Sequence, residues 1–162
     1  LFEMEAPEVA HGTVVFKAIA REAGSRSKVA VTSTDPHVDP VGSLVGQRGV
    51  RVSTVTSELG GEKIDIIEWS DDQKRFIEEA LSPARITEVV LDEAEHKASI
   101  KVAEDQQSLA IGRGGQNVRL AAKLTGWRID IQSTQGQKIA DVSPDATKDE
   151  AIAEPTKTEV SE

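Results

Sequence analysis

The sequence predicts an α+β chain: two copies of one small α/β sandwich, then a disordered acidic tail. Three observations carry that expectation. A long stretch occurs twice, as "SLVGQRGVRVSTVTSELGGEKIDI" at 43–66 and as "SLAIGRGGQNVRLAAKLTGWRIDI" at 108–131. Runs that alternate every second residue are interleaved with runs at helical spacing, the pattern of a sheet with helices on it. From Gln137 onward there are no aromatics, only scattered aliphatics, and acid accumulates. A length of 162 residues accommodates one ordinary domain or two small ones.

The repeat has a register. Gly46 pairs with Gly112, Gly49 with Gly115 and Val52 with Val118, an offset of 66. Leu59 then pairs with Leu124, Gly61 with Gly126, and the "IDI" of 64–66 with that of 129–131, an offset of 65, so the first copy holds one extra residue. A period of this length is too long for a solenoid and suits a duplicated small domain. With 12 glycines, a single G-x-x-G pair is expected about once by chance. Two in matching contexts are a signal.

Each element follows from local rules. Pro7–Ala10 is a candidate short helix. Thr13–Arg21 and Lys28–Ser33 alternate, are rich in β-formers and flank "EAGS", which reads as a hairpin. Asp39-Pro40 is an N-cap followed by a proline at the first helical position, opening a helix to about Val45. After Gly49, Val52, Val55 and Leu59 form a helical apolar stripe. Ile64–Glu68 is a strand. Ser70–Gln73, "SDDQ", reads as a capping box for a helix through Phe76, Ile77, Ala80 and Leu81 that stops near Pro83. Ile86–Leu91 and Lys97–Val102 form a second hairpin around "DEAEH". Asp105 is placed to cap a helix to Ile111, and the second repeat supplies the last helix and strand. The expected domains are 1–69, of which 1–6 is the remnant of a preceding linker, and 70–134. The tail is 135–162.

Net charge is −9, which alone argues against nucleic acid. The distribution reverses the argument. Gln137–Glu162 holds three Lys against seven acids. Between Ser43 and Ser57 lie Arg48 and Arg51 and no acid; between Gln106 and Lys123 lie Arg113, Arg119 and Lys123 and no acid. The absence of Cys excludes disulfides and thiolate metal sites and suits a cytoplasmic protein. No apolar run is long enough to span a bilayer, so no membrane partner is expected.

The glycines bear on function. Two helices joined through four residues need backbone freedom at the join, and the bland reading is that the glycines only make this turn. The sharper reading adds a ligand. Glycine lets the backbone approach it closely, and the next helix begins with unpaired N–H groups that favour phosphate. At helical spacing Gln116, Arg119 and Lys123 share one face, and Arg113 in the turn has the same sign.

With "DPVGSLVGQRGVRV", "ELGGEKIDIIEW" and "AIGRGGQNVRLAAKLTGW" in place, the chain resembles the paired KH domains of the NusA family of bacterial transcription elongation and termination factors, over about Pro7 to Ser133. The resemblance implies two tandem type II (prokaryotic) KH domains, each a three-stranded sheet packed with helices, and G-x-x-G turns that clamp single-stranded RNA. It carries RNA contact to Gly46, Gln47, Arg48 and Gly49 and to Gly112, Arg113, Gly114 and Gly115, with the flanking Arg51, Gln116, Asn117 and Arg119. Lys123 joins them from the charged face. His37 and Ser43-Leu44 depart from the commoner residues but lie outside the turns. The family also carries a polymerase-binding domain and an S1 domain ahead of the KH pair. The chain is therefore expected to be a fragment of a monomeric factor that meets the nascent transcript here and RNA polymerase mainly elsewhere. The family function implied is modulation of pausing, termination and antitermination.

Other chemistry fails on spacing. A Walker P-loop is absent, and a dinucleotide fingerprint begun at Gly112 would end on Asn117. His11, His37 and His96 are far apart, and "DEAEH" reads as a polar turn rather than a metal site. No catalytic motif is present, so no enzyme, cofactor or metal is expected. Trp127, after Gly126 and opening a strand, reads as packing rather than as a base platform, and Trp69 likewise. The competing class is a KH-fold module that docks transcription or ribosome-associated partners without strong RNA binding. Intact glycines and acid-free turns favour RNA.

Overall fold

Two antiparallel strands, β1 (Val14–Glu22) and β2 (Arg26–Ser33), turn on Ala23–Ser25, and β3 (Lys63–Glu68) joins β2 in parallel. A parallel neighbour needs a crossover. Here the crossover is α3 (Pro40–Val45) and α4 (Val50–Glu58). Two short helices precede the sheet, α1 (Phe2–Glu5) and α2 (Pro7–Ala10), and α5 (Gln73–Ala80) follows it. This computed structural model describes residues 1–147 and divides into two compact units, Leu1–Ser82 and the chain from Pro83 onward.

The caps follow local chemistry. The Asp39 side chain accepts the Val41 N–H with Pro40 in the first turn, as expected. For α5 the cap is Asp72, whose carboxylate accepts the Lys74 N–H, while Ser70 Oγ accepts the Asp72 N–H. The expected capping box at Ser70 thus gives way to a cap two residues later. Ala6 is fully buried with Val14, Val31 and Leu44, and Phe2 and Val9 pack against them. Residues 1–6, expected to be a linker remnant, therefore contribute to this core.

A buried ion cluster lies beneath α5. Lys28 is fully buried; its Nζ donates to Asp65 Oδ2 at 2.8 Å and to the Ser82 carbonyl at 2.9 Å. Arg26 Nε donates to the same Asp65 oxygen at 2.8 Å. An ammonium at the carbonyl end of a helix is favourable, and this one links α5 to the first sheet. Phe76, Ile77, Ala80 and Leu81 are buried, and α5 packs on β3. The contact boundary between the two units accordingly follows Ser82.

The second unit repeats the plan. β4 (Glu88–Asp92) and β5 (Lys97–Val102) are antiparallel, and α6 (Glu104–Ile111) and α7 (Gln116–Thr125) cross to β6 (Arg128–Ser133), parallel to β5. α6 starts at Glu104 with Ala103 at its N-cap, so Asp105 lies in the first turn instead of capping it. A fourth strand, β7 (Lys138–Val142), pairs antiparallel with β6. This corrects two expectations: the second sheet has four strands, and the disordered tail does not begin at 135. Averaging composition over the whole tail concealed a short run in which Ala140 and Val142 are buried on one face. Between them, the Asp141 carboxylate accepts from Arg128 Nε and Nη2 at 2.7 and 2.8 Å, and Lys138 Nζ lies 3.0 Å away. The remainder of the expected tail, 148–162, lies outside the described residues.

Candidate nucleic-acid interface

The two G-x-x-G turns share one geometry. Gly46 ends α3 at φ 75°, ψ 175°, and Gly112 ends α6 at φ 77°, ψ 171°. Each is followed by one 3₁₀ turn, closed by the Gly49 N–H on the Gly46 carbonyl at 3.2 Å and by the Gly115 N–H on the Gly112 carbonyl at 3.1 Å. Gly49 and Gly115 are left-handed, at φ 74° each. A Cβ on Gly46 would lie 2.7 Å from Arg51 Cγ, and one on Gly112 2.7 Å from the Asn117 backbone nitrogen. The first glycine is therefore a close-approach residue and the last a left-handed hinge.

Between them the side chains face solvent. Gln47, Arg48, Arg113 and Gly114 are all exposed. Arg48 holds φ 54° at the repeat position of Gly114, which holds φ 61°. The arginine thus stands third in the first turn and second in the second. α4 and α7 open on these glycines with no side-chain cap and no acid in the first turn. Their first N–H groups are directed at the turn.

Three residues of the expected contact set also brace the turns. Arg51 Nη1 donates to the Ser43 carbonyl at 2.7 Å and to Glu8 Oε2 at 2.9 Å, tying the turn to α2. Its repeat partner Asn117 is fully buried, and its Nδ2 donates to the Ala110 carbonyl at 2.9 Å. Arg119, expected on a solvent face, is 5% exposed, and its Nη1 donates to the Gly114 carbonyl at 2.9 Å. A long side chain near the start of a helix curls back over the preceding turn, which helical spacing alone does not reveal. Gln116 is half-buried and Lys123 exposed. The outward cations of the two windows are Arg48, Arg113 and Lys123.

Trp127 is 3% exposed and stacks on His96 at 3.9 Å, so it packs as expected. Trp69 is half-buried, with Lys17 Nζ 4.6 Å from its ring centre. The Asp65 cluster escaped the sequence reading. The signal was present: Arg26 and Lys28 alternate onto one face of a strand, opposite the acid of the repeated "IDI". Among the described residues, no helix is long and apolar enough to cross a membrane.

Family models agree with this geometry. The NusA-like first KH domain matches residues 1–69, and the NusA-like second KH domain matches residues 73–139. The chain is a tandem pair of NusA-like KH domains. It is 52% identical over 153 residues to the transcription termination/antitermination protein NusA of Thermus thermophilus, covering 94% of this chain and 40% of that protein. The Bacillus subtilis protein of the same name is 52% identical over 144 residues (89% and 39%), and the Mycobacterium tuberculosis one 53% over 133 residues (82% and 38%). The chain thus spans about two fifths of the length of these relatives. Their name is that of a transcription factor, not of a catalyst. The crystal structure of APE1850 shares the fold, with a TM-score of 0.57 at 24% identity over 82% of this chain and 91% of that one.

Proposed function

We propose that the two KH turns bind single-stranded RNA, the nascent transcript, within a cytoplasmic transcription factor that modulates pausing, termination and antitermination. One observation carries the reading: two exposed, acid-free turns of identical backbone geometry, each presenting an arginine beside an uncapped helix start. A phosphate is met there by oriented N–H groups and a cation together. Gly46, Gly49, Gly112 and Gly115 shape the cradle, and Arg48, Arg113 and Lys123 supply charge. Arg51, Asn117 and Arg119 hold the turns in shape. The names of the relatives support the transcriptional setting. Contact with RNA polymerase is assigned mainly to other parts of a longer protein.

The test replaces Gln47, Arg48, Arg113 and Gly114 together by Asp. All four face solvent and Asp tolerates the left-handed region, so circular dichroism and melting are expected to change little. Filter binding to a single-stranded RNA panel is expected to be lost by repulsion of phosphate. Retained affinity in the folded variant rejects the reading and leaves the partner-docking alternative.

A further inference from the structure

The second turn has a side-chain brace that the first lacks. Arg51 and Asn117 stand at the same position of the repeat, and each donates back to a carbonyl of the helix before its turn. Arg119 is an additional brace. From five residues past Gly114, its guanidinium returns to the Gly114 carbonyl at 2.9 Å. Five residues past Arg48, the first repeat has Ser53. Arg48 and Gly114 hold nearly the same backbone angles, φ 54°, ψ 25° and φ 61°, ψ 21°, so the two carbonyls are oriented alike in their turns. A serine is too short to reach back as Arg119 does, and among the described residues no side chain donates to the Arg48 carbonyl. A surface cleft of about 350 Å³ lies here, lined by Arg48, Val50, Ser53, Thr54, Ser57 and Glu58. The Thr54 hydroxyl is spent on the Val50 carbonyl at 2.9 Å, whereas Ser53, Ser57 and Glu58 are exposed.

We propose that this cleft receives an arginine side chain from a protein partner, which braces the first turn as Arg119 braces the second. The Arg48 carbonyl, the Ser53 and Ser57 hydroxyls and the Glu58 carboxylate are all acceptors, and a guanidinium offers five N–H donors in a planar fork. Like charge does not forbid it. In the second unit the same carbonyl takes a guanidinium although Arg113 stands one residue before it. An ammonium is a compact, strongly hydrated point charge and fits a spread of acceptors less well. Phosphate fits worse still, because Glu58 repels it, so the cleft suits protein rather than RNA. The occupant steadies the turn that presents Arg48. Resting on the RNA-binding reading above, partner and RNA therefore strengthen each other's binding, each by the same factor.

The probe is N-acetyl-arginine methylamide, a blocked arginine whose only charge is its guanidinium, with the matching blocked lysine as control. Each is titrated into the full chain without RNA and followed by amide NMR shifts. Saturable shifts are expected within 48–58 and not within 113–123, with the lysine several-fold weaker. Ser53→Arg supplies the missing brace from within. It stands at an exposed helical position where arginine is the better helix former, so the fold is kept. Its own guanidinium is expected to weaken the arginine probe by about tenfold, and Glu58→Gln weakens it by a few-fold. No saturable shift within 48–58, equal response to arginine and lysine, or undiminished binding in Ser53→Arg overturns the proposal. Single-stranded RNA is then titrated with and without saturating arginine probe. A few-fold gain in RNA affinity is expected in the parent and none in Ser53→Arg; unchanged affinity in the parent overturns the coupling. A chain that binds the probe as expected but no RNA confirms the cleft and rejects the RNA-binding reading together with the coupling.

Discussion

Gly112 and Gly114 sit two residues apart in one turn and obey different constraints. A side chain on Gly112 would strike the Asn117 backbone, whereas one on Gly114 meets open space. Gly112→Ala combines a left-handed φ with overpacking and is expected to destabilise by about 3 kcal/mol. Gly114→Ala meets only the left-handed cost, about 1 kcal/mol, and Arg48 shows that the position accepts a side chain. Urea unfolding of the two variants checks the order, and equal losses would contradict it. Lys28 is the other informative residue. Burial pulls its ammonium down to about 8; the attraction of Asp65 opposes this, and Arg26 and Lys63 add to it. From about pH 8 to pH 10.5 the unfolded chain holds a proton that the folded chain lacks, so this group adds stability as pH rises through that window. The gain is on the order of 3 kcal/mol. In Lys28→Met the term is gone. The stability of the parent minus that of the variant is expected to climb from pH 7.5 to pH 10.5, and a flat difference would refute the assignment.

β7 hangs on Asp141. Burial alone would raise its carboxyl, but hydrogen bonds from Arg128 and Lys138 hold it below the usual carboxylate range. A depressed carboxylate contributes stability above its unfolded value and loses it as pH falls through the folded one. Asp141→Asn is therefore expected to loosen β7 at neutral pH, by about 1 kcal/mol for a bidentate pair open to solvent on the arginine side. Amide exchange at Ile129 and Ile131 reads this directly. Both are expected to exchange faster in the variant at pH 7, with the difference vanishing below the ordinary aspartate range. Unchanged protection at pH 7 would show that Ala140 and Val142 hold the strand without the charge.

On the proposed RNA-binding reading, a chain of net charge −9 meets a polyanion through local fields, and only exposed cations release counterions. Five basic residues lie in the two turn windows, which by count alone allow a log–log salt slope of about −3.5. Two of them, Arg51 and Arg119, are engaged as braces on main-chain carbonyls. Arg48, Arg113 and Lys123 remain, so the slope is expected to be about −2 at most. Titrations of RNA across ionic strength decide the matter. A slope steeper than −3 would mean that the braces open on binding, and one near zero that phosphate is not the ligand.

The duplicated plan was legible in the chain because glycine spacing, caps and strand alternation are local: Gly46 and Gly112, Asp39-Pro40 and the two "IDI" strands each follow from a few neighbours. The same locality made the turns legible as candidate sites, since left-handed backbone and the absence of acid are visible in a short window. Long-range partners were not. Arg119 reads as a surface cation until the Gly114 carbonyl is seen beneath its guanidinium, and Arg51 until Glu8 is brought to it from 43 residues away. β7 was hidden because its stability comes from the β6 edge and from Arg128 rather than from its own propensity. Lys28 is a buried charge, which no local rule permits; it persists because folding brings Asp65 and the Ser82 carbonyl to it. Spacing along the chain determines which backbone shapes form, and packing between distant segments determines which charges remain free to act.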